Sequence, residues 1–99
     1  MAGIPFESFI QSLEKAQPPA GLSDHLKALW HDRRGDWDTA HACVQDLPDR
    51  SAAHIHAYLH RKEGDIWNAD YWYRRAGRQR PEVSLDEEWE QIVRKMLED

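Results

Sequence analysis

The sequence predicts an all-α domain, and three observations carry that prediction. Glycines and prolines cut the 99 residues into helix-length pieces. Within each piece the apolar residues recur at i, i+3, i+4 and i+7, the period of a helix with one buried face. No alternating run rich in β-branched residues appears, so strands have no support.

Six helices follow in order. The first, within residues 5–17, opens on Pro5, whose missing N–H would be unpaired in a first helical turn, and aligns Phe6, Phe9, Ile10 and Leu13. Pro18 and Pro19 separate it from the second, which Ser23 caps and Gly35 ends, with Leu22, Leu26, Leu29 and Trp30 as its stripe. Asp36 caps a third, in which Trp37, Ala40, His41, Val44 and Leu47 keep helical spacing up to Pro48. Ser51 is expected to cap a fourth, with Ala52, Ile55 and Leu59 inward, ending at Gly64. Asp65 caps a fifth that runs to Gly77, with Ile66, Ala69, Tyr73 and Ala76 as its expected inner face. The last begins at Ser84-Leu85-Asp86-Glu87, a capping box, and lines up Leu85, Trp89, Ile92, Val93 and Met96. Short joints force neighbouring helices to lie antiparallel.

Composition bounds the function. A chain this long is one domain. Thirteen Lys and Arg against 18 Asp and Glu give a net charge of −5, which argues against general binding to nucleic acid or anionic membrane. Five Trp and 40% apolar residues are too much hydrophobic mass for a disordered acidic chain. Cys43 stands alone, so no intrachain disulfide forms. No apolar run approaches the ~20 residues of a membrane span, and no leader pattern is recognisable, so the expected location is the reducing cytoplasm.

A 29-residue shift, which carries Gly35 onto Gly64, superposes the chain on itself. Ala28-Leu29-Trp30-His31 then falls on Ala57-Tyr58-Leu59-His60, Gly35-Asp36-Trp37 on Gly64-Asp65-Ile66, and Ala40 on Ala69. Each unit reads helix, Gly-Asp turn, helix. Glycine takes the left-handed conformation that ends the first helix, and aspartate accepts from the free N–H groups that start the second. The small alanines let the paired helices approach closely. Such a pair cannot bury its stripe alone and must stack on a neighbour.

Gly64-Asp65-Ile66-Trp67-Asn68-Ala69, followed by Tyr73, Ala76 and Pro81, resembles the second half of a tetratricopeptide repeat. Ala57 matches the small residue of that repeat's first helix. The earlier unit departs from it, with Val44 where an aromatic is usual and Leu47 where the second alanine is usual. The resemblance covers roughly residues 23–81 and implies two tandem tetratricopeptide-like helical hairpins, 23–48 and 51–77. An N-terminal helix within 1–20 and a C-terminal capping helix over 84–98 would flank them. It also implies a groove lined by the first helix of each pair: His25, Leu29 and Asp32 from one, His54, Tyr58, Arg61 and Lys62 from the next. A polar groove with two cations suits an acidic or C-terminal peptide. The expected function is therefore a non-catalytic protein-interaction module that binds a peptide or partner subunit. An uncapped end of so short an array offers a second copy a place to dock, as a homodimer.

Three clusters compete with that reading. Trp67 and Tyr71 point away from the inner face of their helix, next to Arg74. The last helix needs a surface for Leu85, Trp89, Ile92 and Val93, and is expected to cover them; left open, they would form a hot-spot patch. His56 and His60 stand at i, i+4, the way helical zinc sites begin, and would need Asp70 or His31 as third ligand; simple packing is the competing reading. Arg74, Arg75, Arg78 and Arg80, interleaved with Tyr71 and Tyr73, could hold phosphate of single-stranded nucleic acid. Residues 82–99 carry seven acids against Arg94 and Lys95, so the basic joint is expected to pair internally with the start of the last helix. Cys43 has no base beside it, and no phosphate loop or nucleophile elbow is present, so no enzyme and no cofactor are expected.

Overall fold

The computed structural model describes residues 4–98. Those residues form six helices and no strand: α1 (Phe6–Ser12), α2 (Asp24–Arg33), α3 (Trp37–Val44), α4 (Arg50–Glu63), α5 (Ile66–Arg75) and α6 (Leu85–Glu98). The all-α class is as the sequence predicts.

The two Gly-Asp turns are built alike. Gly35 and Gly64 sit at φ +85° and +90°, where a side chain would be strained. Gly35 N–H donates to Asp32 O and Asp36 N–H to His31 O; Gly64 N–H donates to Arg61 O and Asp65 N–H to His60 O. This pair of bonds satisfies carbonyls that the helix end leaves open. The Asp36 and Asp65 carboxylates then accept from Thr39 N–H and Asn68 N–H and start the next helix. The result is two hairpins, α2 on α3 and α4 on α5. Ala28, Ala40, Ala57 and Ala69, at matching places in the two units, are all fully buried.

Two local expectations change. Asp49, not Ser51, caps α4: its carboxylate accepts from Ala52 N–H at 3.1 Å and also meets His25 Nε2 at 2.7 Å. Asp49 directly follows Pro48, is extended there, and offers a charged acceptor immediately before the first helical residue, Arg50. Ile66 is exposed rather than inward, because the outer side of α5 has no neighbouring helix.

α6 decides the shape of the core. It crosses α2 and α4, the first helices of the two hairpins, and also meets α1. Trp89, Ile92, Val93 and Leu97 thereby join Phe9, Leu26, Leu29, Trp30, Ile55 and Leu59 in one buried cluster. The two central indoles are satisfied: Trp89 Nε1 donates to Leu29 O at 3.0 Å and Trp30 Nε1 to Ser12 Oγ at 3.1 Å. The expectation that the last helix covers Trp67 and Tyr71 is thus overturned. The first helices present Leu26, Leu29, Ile55 and Leu59 and, as described below, the partners for a buried carboxylate. Among the described residues no helix is long and apolar enough to cross a membrane.

Candidate functional site

The face expected to receive a peptide is filled by α6. Glu88 enters it and is 1% exposed. Its carboxylate accepts from the Tyr73 hydroxyl, from Arg61 Nη1 at 2.8 Å and from His54 Nε2 at 3.1 Å. Burial alone pushes this carboxyl up; the hydrogen bonds from His54, Tyr73 and Arg61 outweigh burial and hold it below the usual carboxylate range. Burial lowers the affinity of His54 for a second proton, and the Arg78 charge adds to that against the pull of Glu88. The neutral ring then has one consistent arrangement. Nε2–H donates to Glu88, and Nδ1 accepts from Arg78 Nη1 at 2.8 Å.

A second buried carboxylate lies on the same face. Asp32 accepts from the Tyr58 hydroxyl at 2.8 Å and from Lys62 Nζ at 2.8 Å. Burial, with the Asp32 charge beside it, pushes the Tyr58 hydroxyl far above its ordinary value, so it acts as a donor only. Of the expected groove residues, Asp32, His54 and Tyr58 are therefore buried. Arg61 and Lys62 are bound to Glu88 and Asp32, and His25 is paired with the α4 cap.

What remains open is the outer face of α5. Trp67 is 77% exposed, and Ile66 and Tyr71 are 39% exposed. The Arg75 guanidinium lies 5.1 Å from the Trp72 ring centre and donates to the Tyr71 hydroxyl at 3.2 Å. Beside this strip is a pocket of about 780 Å³ whose lining includes Tyr73, Arg74, Arg78 and Arg80. The expected pairing of the basic joint with the start of α6 does not occur. Arg80 pairs with Asp70 and Arg78 with His54, while Arg33 takes Asp86, Arg61 takes Glu88 and Arg94 takes Glu90.

A third constellation lies where α4 meets α3. His56 and His60 share one face of α4 as their spacing requires, and α3 brings His41 against them. One ligand nitrogen from each of the three rings lies within 4.8 Å of the other two. His41 Nε2 and His56 Nε2 face each other at 2.9 Å. His60 Nδ1 donates to Glu63 at 2.7 Å. Two indoles frame the cluster: Trp37 stacks on His41 at 4.8 Å between centres, and Trp72 on His56 at 3.9 Å. Trp37 is itself anchored by its Nε1–H, which donates to Leu59 O at 2.8 Å. Burial and the neighbouring His41 and His60 hold His56 down to about 3, and burial, then His60, lowers His41, so both rings are neutral at pH 7. His56 Nδ1 is buried with no hydrogen-bond partner among the described residues. Neither Asp70 nor His31, the expected third ligands, belongs to the cluster.

His41 and Glu88 are the two site residues that sequence reasoning missed. His41 had a signal, since it follows the inward Trp37 by four residues and so shares its face. Glu88 had none, standing in an acidic run that reads as solvated. No protein-family model matches the chain, and no curated protein or solved structure is similar enough to count as a match.

Proposed function

We propose that the chain is a non-catalytic, cytoplasmic interaction module that docks an acidic, apolar segment of a partner protein along α5. The observation that carries this reading is Trp67, the most exposed large apolar side chain among the described residues, beside an arginine-lined pocket in a chain of net charge −5. A large indole in water next to fixed guanidinium groups is the composition of an interface hot spot. Of the four arginines in 74–80, Arg80 is held by Asp70 and Arg78 by His54, and Arg74 and Arg75 make no ion pair among the described residues, so an acidic partner is favoured at those two by charge complementarity. The reading keeps the peptide expectation and moves it from the first helices, where α6 already lies, to the second helix of the last hairpin.

Peptide-display selection against the immobilised protein tests it. Acidic peptides with an apolar anchor are expected to be enriched, and their binding to fall at least tenfold in Trp67→Ala and in Arg74→Glu. No enrichment, or peptides that bind both variants as well as the parent, overturns the reading. Selective retention of single-stranded oligonucleotides with a steep salt dependence would replace it with nucleic-acid binding.

A further inference from the structure

The geometry points to a binding site for one first-row transition cation of the zinc class, held by His41, His56 and His60. This site adjoins the α5 strip at Trp72 but does not depend on the function proposed above.

Four features make the cluster a cation site rather than three packed rings. The first is convergence. Three imidazoles from two helices place one nitrogen each within 4.8 Å of the others, whereas tetrahedral ligands at a zinc–nitrogen distance of about 2.0–2.1 Å stand roughly 3.4 Å apart. The second is the carboxylate behind the ligand. Glu63 takes the Nδ1 proton of His60, which fixes the ring and leaves the Nε2 lone pair available. A carboxylate bonded to the far nitrogen of a ligating histidine is the usual support of such a site, and it raises the basicity of the ligand.

The third feature is preorganisation. His56 and His60 are one turn apart on a 14-residue helix, and Trp37 and Trp72 clamp His41 and His56 by stacking. Little ordering entropy then remains to be lost when an ion enters. The fourth is the way the His41 and His56 nitrogens already face each other. His41 Nε2 and His56 Nε2 oppose each other at 2.9 Å, so one of them carries the proton and the other accepts it. A cation that takes both lone pairs replaces that proton between the rings, and the proton moves to the far nitrogen of its own ring, so that both imidazoles stay neutral. Three imidazole nitrogens suit zinc, cobalt or nickel and not magnesium or calcium, which favour oxygen. The fourth position is left to water or to a group from outside the chain.

Cobalt(II) titration of the tag-free, chelator-washed protein tests the site, with zinc as competitor. The expected result is one equivalent bound, with the visible absorption bands of low-coordinate cobalt, abolished by one equivalent of zinc. His41→Gln, at a partly exposed position, is expected to remove the bands while the helical circular dichroism persists. His60→Gln is the second variant, so that a folding failure in one leaves the other to decide. Glu63→Gln keeps the three ligands and is expected to weaken zinc about tenfold or more. Trp67→Ala is expected to bind cobalt as the parent does. Absence of the bands at one equivalent, or bands that survive both histidine substitutions, overturns the assignment.

Discussion

The hydroxyl of Tyr73 on α5 lies 2.7 and 2.9 Å from the two oxygens of Glu88 on α6. That contact ties the second hairpin to the last helix. With Arg61 and His54 on the same carboxylate, Glu88 is the one acid of α6 whose charge is fully used inside the protein. Glu88→Gln keeps the volume but leaves the Arg61 guanidinium without its counter-charge. Removing one partner of a buried pair is costly, and an expected loss of about 3 kcal/mol follows. Urea denaturation followed by circular dichroism measures it, and a loss below about 1 kcal/mol would show the network to be dispensable.

Acid should act through the same group. The folded protein holds Glu88 and Asp49 below their ordinary values, Glu88 as described and Asp49 because the His25 and Ala52 hydrogen bonds outweigh its burial. The unfolded chain therefore binds protons on these acids first as pH falls. Their contribution is complete above the unfolded carboxylate values, near pH 4–5, and is lost as pH drops through the lower folded values. Urea midpoints measured from pH 6 to pH 3 should fall at the acid end, and less steeply in Glu88→Gln.

The elbows permit a paired test. A methyl group at Gly35 or Gly64 meets nothing within 4 Å, so only the backbone resists it. Gly35→Ala and Gly64→Ala are each expected to cost about 1–2 kcal/mol, the left-handed penalty for an ordinary residue. Similar losses at the two sites would mark the turns as energetically equivalent. A thermal scan of each variant reads this out, and no change in either midpoint would contradict the geometry.

Two tryptophans should behave in opposite ways. Trp89 is buried between α6 and α2, and Trp89→Ala is expected to cost about 3–5 kcal/mol. Trp67→Ala should change stability by less than about 0.5 kcal/mol, because most of the side chain is already in water. Denaturant curves on both variants decide between this placement and one in which α6 covers α5.

Much of the backbone was legible from residue type alone. Gly-Asp at 35–36 and 64–65 carries its own turn chemistry, and the alanines at 28, 40, 57 and 69 report the close helix contacts without help from tertiary structure. The path of α6 was not legible. Its stripe of Leu85, Trp89, Ile92 and Val93 states that it must pack, but a stripe does not name its partner. The choice depends on Glu88 meeting Arg61 and Tyr73, residues 27 and 15 positions away in the chain. The histidine cluster was half legible for a similar reason. Helical spacing shows that His56 and His60 are neighbours, whereas His41 reaches them only through the seating of α3 on α4.

The indole of Trp89 bonds to a carbonyl 60 residues earlier, and that single link has a consequence for how the protein is made. Each hairpin closes on nearby residues and can form while synthesis continues, but the shared interior waits for residues 85–97 to leave the ribosome. Until then Leu26, Leu29 and Ile55 stay wet, and His54 and Arg61 lack the Glu88 carboxylate that they hold in the folded protein. Ribosome-bound chains stalled at residue 84 should accordingly be cut readily by protease, and chains stalled well past residue 99 should resist it.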